Sequence, residues 1–328
     1  HCVVVCNGTV ALEILIRALG LTGEVIVPSF TFVATAHALQ WQGITPVFCD
    51  IDPSTHNLDP EQVASHITSR TSAILGVHLW GRPCNVDALS RLGEQHGLDV
   101  LFDAAHAFGC SNGGRMIGGN GRAEVFSFHA TKFVNAIEGG AVTTNDAELA
   151  DQLRLMRNFG FSGYDQVESV GTNGKMNEFS AAMGLTCLDS LQTLLEVNHR
   201  NDKLYRGYLS DIPGLSLIEY TDTERHNRQY VVLEIDAGTV GLTRDQLQKL
   251  LTAENVLARR YFYPGCHRME PYRSLQPDAG RSLPVTQMLT DRVLLLPTGT
   301  SIGSDQIENV CRILSFCIDH AADIRRLL

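Results

Sequence analysis

Apolar residues in this chain come in short continuous runs separated by longer stretches with helical spacing, and this alternation persists through the first 160 residues. Val25–Val27, Thr45–Cys49, Ser72–His78, Asp99–Asp103, Val125–Phe128 and Gly140–Thr144 carry no polar face, as expected of strands covered on both sides. The opening run, HCVVVC, reads as one more apolar strand. Between the runs, Val33–Gln42, Pro60–Ile67 and Val86–His96 have the spacing of helices. Thr9–Leu19 is apolar nearly all round, which predicts a buried helix. The pattern is that of an α/β fold, a mainly parallel sheet with helices on both faces.

Ala147–Phe159 predicts a further helix, and Asn177–Leu195 a longer one opened by a capping asparagine. Past that point the texture changes. Tyr230–Ile235 and Arg292–Leu296 read as strands, Thr243–Ala253 and Ser304–Cys317 as helices. These predict a smaller α+β C-terminal domain, with the division near Glu196 giving domains 1–195 and 196–328. Gly109–Gly121 holds six of the 29 glycines, lacks GxxxxGK[ST] and opens no helix, so it reads as turns between short strands rather than a phosphate loop.

Composition narrows the class. With 44% apolar and 19% charged residues over 328 positions, the chain can bury a sizeable core. A formal charge of -10 argues against nonspecific nucleic-acid binding but not against an anionic ligand held by backbone donors. No apolar stretch is long enough to span a membrane. Nine cysteines show no CxxC pairing, and an odd count without a signal peptide suits the cytoplasm. Twelve histidines without HExxH give no expectation of a metal. The chain begins inside a strand, so an N-terminal segment is expected to be missing.

Candidate chemistry begins at Lys132 and Asp103. Asp103 ends the run Val100-Leu101-Phe102, at the carboxyl edge where open α/β sheets place ligands. It suits the partner of a pyridinium, where an acid about 4 Å away contributes roughly 4 kcal/mol. It equally suits a cap for the AAHA segment that follows. Lys132 follows Val125–Phe128 and precedes Gly139-Gly140; a partly desolvated lysine there is a Schiff-base nucleophile and proton shuttle. One group to bond pyridoxal phosphate (PLP) and one to protonate its ring are what that cofactor needs. Asn7-Gly8-Thr9 opens a helix and offers an anion site or a plain cap, and Ser127 could add a hydroxyl.

Seven segments, NGTVALEILIRALG, VIVPSFTFVATAHAL, PVFCDIDPSTHNLDP, GVHLWGRPCNVDAL, FDAAHAFG, SFHATK…EGGAV and GTNGKMNEFSAAMGL, resemble in order and spacing the DegT/DnrJ/EryC1/StrS sugar aminotransferases. YFYPGCHRMEPY extends the likeness into the C-terminal third. The resemblance implies a fold-type-I PLP enzyme, with a seven-stranded large domain and a homodimer with shared active sites. It implies that Lys132 bonds the cofactor, Asp103 meets the pyridine nitrogen, and Gly8, Thr9 and Ser127 hold the phosphate. Phe32 would stack on the ring and His106 lie beside the phenolic oxygen, while Asn173 and Lys175 would reach the neighbouring subunit's site. Arg259, Arg260, Tyr261, Tyr263 and His267 fall where the family handles the sugar nucleotide, or form an exposed loop. His129 and Glu138 could also line the site. Two departures stand out: Asn7 where the family commonly has serine, and the absent N-terminal segment.

The reaction so implied moves an amino group from L-glutamate to a nucleotide-linked keto-deoxyhexose, with dTDP as carrier and C4 as the aminated carbon. Amination at C3 is the alternative within the fold. A pyridoxamine-phosphate dehydratase is disfavoured, since those relatives replace the lysine at position 132 with histidine. A non-catalytic regulator is disfavoured by the retention of Lys132, Asp103 and Thr9. A nicotinamide dehydrogenase would need a GxGxxG that no βαβ unit here carries.

Overall fold

The computed structural model describes residues 1–327. Its main sheet has seven strands: β1 (Cys2–Val5), β2 (Glu24–Pro28), β3 (Thr45–Cys49), β4 (Thr71–Val77), β5 (Asp99–Asp103), β6 (Ala123–Ser127) and β7 (Gly140–Thr143). Their order is β1-β7-β6-β5-β4-β2-β3. Pairing is parallel from β6 across to β3, and β7 alone runs against its neighbours. Every residue of β2 is buried, the consequence of apolar runs without a polar face.

Two helical layers account for that burial. α1 (Gly8–Ala18), α2 (Ala34–Gln40) and α5 (Ala147–Met156) pack on one face through Leu15, Leu39 and Leu153. α3 (Pro60–His66) and α4 (Val86–His96) pack on the other through Val63 and Leu89. α4 is capped by the Asn85 side chain and stopped by Gly97 in the left-handed conformation, φ 65°.

The expected long helix from Asn177 is two helices, α6 (Glu178–Asp189) and α7 (Leu191–Leu209), separated by Ser190 with ψ near 4°. The apolar pattern continues through the joint, which hides a break made by one residue's backbone. α7 runs unbroken through the expected division at Glu196 and ends in a second core. The helix expected over Ala147–Phe159 stops at Met156, because Phe159 and Gly160 both take positive φ and turn the chain.

The second core surrounds an antiparallel sheet, β8 (Leu215–Leu217), β9 (Val231–Ile235) and β10 (Val293–Leu296). α7, α8 (Arg244–Ala253) and α10 (Ser304–Asp319) pack on it through Tyr205, Leu247 and Leu314. Between α8 and β10 the chain first returns to the large sheet and then forms α9 (Pro284–Arg292), which leads directly into β10. Cys266, Tyr272 and Leu283 join the first core, and the Cys266 N–H donates to the Ser29 carbonyl at 2.9 Å. Phe30, Trp80, Val232 and Phe262 form a third cluster that ties the two units together.

Directly beside Asp103 lies a buried polar anchor. Glu124 accepts from His78 Nε2 at 2.9 Å, from the Asn120 N–H at 2.9 Å, and from the Gly118 N–H. His78 Nδ1 accepts from the Cys84 N–H, so its proton sits on Nε2 and the pair is a neutral imidazole on a carboxylate. The glycine-rich loop is thereby pinned to the sheet, and His78 donates its own N–H to the Asp103 carbonyl at 2.9 Å. Replacing Glu124 by alanine strands several buried donors and is expected to cost about 3 kcal/mol of stability. The expected readout is a lower urea midpoint by circular dichroism, and an unchanged midpoint would show that the anchor contributes nothing.

Candidate active site

The carboxyl ends of β4, β5 and β6 open into a cavity of about 460 Å3, closed on its far side by residues that follow β8 and precede β10. Gly8, Thr9, Phe32, Asp103, His106, Ser127, Lys132 and Tyr261 line it, so eight residues expected from the sequence meet in one place. Asn7, His129, Glu138 and Arg259 line it as well. A larger depression of about 1270 Å3 on the small domain, around Leu257 and Phe316, brings together no comparable set of titratable groups.

Asp103 is buried at the end of β5. Its carboxylate accepts from Thr35 Oγ1 at 2.9 Å and from the Ala105 N–H at 3.0 Å, and makes no ion pair. Burial raises its pKa, and those two donors and Lys132 only partly offset the rise. A carboxyl so placed gains most from a cation brought in with a ligand. Thr31 Oγ1 lies 3.2 Å from Thr35 Oγ1 and extends the hydroxyl relay behind the acid.

Lys132 sits in the loop between β6 and β7, whose turns are closed by the Phe128 and Ala136 backbone. As a residue it is half-buried, but its amine lies deep, and burial lowers its pKa from 10.5 to about 8, against the pull of Asp103. Nζ is 3.3 Å from Tyr230 Oη. His106 lies behind that phenol, with Nε2 at 3.2 Å from the same oxygen and Nδ1 accepting from the Trp80 N–H at 3.4 Å. Burial and then the Lys132 charge hold the His106 pKa well below 6.5, so the imidazole is neutral.

At the other end of the cavity Asn7 caps α1, accepting from the Val10 N–H at 2.8 Å. The remaining amides of the first turn carry the positive end of the helix dipole. Two glycines make this corner. A Cβ on Gly8 would stand 2.9 Å from Ser127 Cβ, and one on Gly140 would stand 2.5 Å from the Asn7 carbonyl. Gly140 therefore lets β7 pass against the helix start rather than behind Lys132.

These groups fit PLP: an uncompensated buried acid, a desolvated amine, a helix N-terminus with adjacent hydroxyls, and Phe32 standing 56% exposed at the wall. Five expected residues lie elsewhere, Arg260 among them, its guanidinium paired with Asp245 at 3.1 Å. Asn173 is exposed in a bridge to Asn158, and Lys175 is held outside the cavity by Asn158 Oδ1 at 3.0 Å and the Phe159 ring. Tyr263 stacks on Arg244 and Arg260. His267 is buried against Ser29, with Nδ1 to Oγ at 2.7 Å, and fastens its loop to the segment carrying Phe32. Sequence reasoning missed Thr35 and Tyr230. Thr35 lies one helical turn after Thr31 in the SFTFVATA run and could have been marked as a hydroxyl facing the same way. Tyr230 precedes a strand 98 positions after Lys132, and no local pattern marks it.

If Lys132 is the amine that attacks the PLP aldehyde, it does so only when neutral, and PLP uptake by apoenzyme is expected to level off above about pH 8. Below that it should fall by roughly tenfold per pH unit. Stopped-flow absorbance measures this, and a midpoint near that of a free lysine would contradict the buried-amine geometry.

Comparison with known proteins agrees with the geometry. The model of the DegT/DnrJ/EryC1/StrS aminotransferase family matches residues 1–315. A dTDP-4-amino-4,6-dideoxy-D-glucose transaminase of Shigella dysenteriae is 37% identical over 306 residues, 93% of this chain and 82% of its own. The crystal structure of DesI in the presence of its TDP-sugar product superposes with a TM-score of 0.95 at 53% identity, covering 99% of this chain and 82% of that one. DesV of S. venezuelae, solved in complex with a ketimine intermediate, has a TM-score of 0.89 at 33% identity, with 97% and 85% covered. The chain belongs to the DegT/DnrJ/EryC1/StrS aminotransferase family and is a PLP-dependent aminotransferase of fold type I.

Proposed function

We propose that this enzyme transfers an amino group from L-glutamate to C4 of a dTDP-linked 4-keto-6-deoxyhexose. The observation that carries the chemistry is one cavity holding both a desolvated amine, Lys132, and a buried carboxyl without an ion-pair partner, Asp103. When bound, PLP supplies an electron sink for a carbanion at the donor's α-carbon. Asp103 is assigned to keep the pyridine nitrogen protonated. Lys132 is assigned to bond the cofactor and, when its amine is free, would take the proton from the donor's α-carbon as base and deliver it as acid to the cofactor's former aldehyde carbon. Thr9, Ser127 and the Gly8 amide are assigned to the phosphate, Phe32 to the ring face and His106 to the phenolic oxygen.

The Shigella transaminase supports dTDP as the carrier and C4 as the carbon, and the DesI structure supports a TDP-linked ligand. Lys132 weighs against the dehydratase reading. Arg259 and Tyr261, joined by a hydrogen bond of 2.9 Å at the cavity rim, are placed to meet the sugar nucleotide. Purified enzyme with PLP, glutamate and dTDP-4-keto-6-deoxyglucose is expected to give the 4-amino sugar by mass and NMR, with 2-oxoglutarate formed in equal amount. Lys132→Ala is expected to abolish turnover, and Asp103→Ala to lose most of it while still binding cofactor. Amination at C3, or turnover surviving in Lys132→Ala, would contradict the assignment.

We further place the working enzyme as a homodimer. α6 presents Phe179 at 88% exposure and Leu185 at 65%, and exposed Tyr164 and Val170 flank the same stretch of chain as Asn173 and Lys175. So many exposed apolar side chains on one stretch of chain exceed what a monomer's surface ordinarily carries, and a partner covering them would bring Asn173 and Lys175 toward its own site. All nine cysteines are free and seven are buried, which supports a reducing compartment such as the cytoplasm. Among the described residues no helix is long and apolar enough to cross a membrane. Sedimentation velocity is expected to give a dimer for the wild type and a monomer for Phe179→Glu; a monomeric wild type would exclude the shared site.

A further inference from the structure

Tyr230 belongs to the small domain, yet its side chain lines the cavity at the large domain's strand ends. It stands 3.3 Å from Lys132 Nζ and 3.2 Å from His106 Nε2. The His106 and Tyr230 rings are 4.6 Å apart, and Trp80 packs against both. We propose that Tyr230 is a positioning residue that donates its phenol hydrogen to the free amine of Lys132 and so holds that amine neutral, in place, whenever it is not bonded to the cofactor. This rests on Lys132 as the cofactor-bonding lysine.

The direction of the hydrogen bonds follows from the far end of the chain of contacts. The Trp80 N–H points at His106 Nδ1, which must therefore accept. A neutral imidazole has a single ring proton, so it sits on Nε2 and is directed at Tyr230 Oη. With one lone pair of Oη engaged by His106, the phenol is free to spend its own hydrogen on Lys132. A neutral amine accepts that hydrogen and every group in the line is satisfied. An ammonium has no lone pair to accept it. Oη would then receive hydrogens from both sides, and the phenol hydrogen would be left without a partner in a buried place, which disfavours the charged amine.

Other groups face Lys132 as well. Asp103, from the end of β5, favours the charged amine. His129 and Glu138 lie on its own loop, 3.6 Å from one another at their polar ends, and Arg259 and Tyr261 approach from the segment before β10. Among the described residues none of these hydrogen-bonds Nζ, whereas Tyr230 does. Burial pushes the Tyr230 phenol well above its ordinary pKa, so it remains a donor through the working pH range. Because Tyr230 precedes β9, the lysine's resting place is set by how the small domain sits on the large one.

The chain's composition permits a direct test. It has four lysines, and Lys203 and Lys249 are exposed and outside the site, so they serve as internal standards for Lys132. Apoenzyme is labelled competitively with acetic anhydride from about pH 6 to about pH 11, and each lysine's titration is read by peptide mass spectrometry. In Tyr230→Phe, which keeps the ring and its packing, Lys132 is expected to titrate about one unit higher than in wild type. Lys203, Lys249 and the melting temperature should stay where they were. His106→Leu removes the Nε2–H that orients the phenol and is expected to move Lys132 in the same direction by less. A Lys132 titration that is unmoved or lowered in both variants overturns the proposal, since a purely structural tyrosine would alter melting rather than this one amine. Borohydride reduction of PLP-loaded wild type separates the two assignments. Label on Lys132 with an unmoved titration sinks only the role of Tyr230, whereas label on another lysine sinks the site reading and this proposal with it.

Discussion

Desolvation of an amine and a carboxyl within one cavity is the constraint around which this molecule is arranged. Both groups are held in the direction that disfavours their charge: Lys132 is lowered to about 8 and Asp103 is raised. Neither is relieved by an ion pair, so the fold carries the cost of two under-compensated ionisable groups. Such sites persist where a bound ligand completes the electrostatics. A pyridine ring protonated by the acid and bonded by the amine would do both at once.

The architecture keeps the two groups in the same cavity without letting the lysine collapse onto the acid. Asp103 is locked by Thr35 and the Ala105 amide at a strand end, on an edge that the parallel strands leave open. Behind it, Glu124 gathers His78 and the glycine-rich loop into one buried network. Gly8 and Gly140 bring the start of α1 within contact of β6 and β7, so an anion site and the acid share one cavity. The chain then leaves for a second sheet and comes back, so that Cys266 and Tyr272 pack on the first core. The Phe30–Trp80–Phe262 cluster is the seam of that return, and His106 lies against it, its ring stacked on Trp80 and Phe262.

One consequence is that the amine of Lys132 is not held by its own loop alone. Its nearest hydrogen-bond partner comes from the other domain, and the orientation of that partner is settled by a histidine and a tryptophan amide of the large one. Trp80 takes a positive φ of 60° to aim that amide, an uncommon conformation for a residue of its size. The strain falls beside the chemistry, where packing of the third cluster over-determines it.

Hydrophobic alternation by itself determined that the chain forms a covered, mainly parallel sheet, because strands buried on both faces and helices between them leave distinct periodic signatures. Local motifs marked candidates that the fold then brings into one cavity: Asp103 at a strand end, Gly8 and Thr9 at a helix start, Lys132 after a buried run. The break at Ser190 escaped notice, since a change in one backbone angle leaves the apolar pattern intact. Asn173 and Lys175 were legible as polar residues in a family motif, but within one chain they face outward. Tyr230 was illegible for a deeper reason: a contact spanning 98 positions depends on how two separately folded sheets dock, and nothing in the neighbourhood of a strand's first residue records what it will touch across that seam. Only the tertiary structure decided that this phenol, rather than a neighbour in sequence, would meet the lysine.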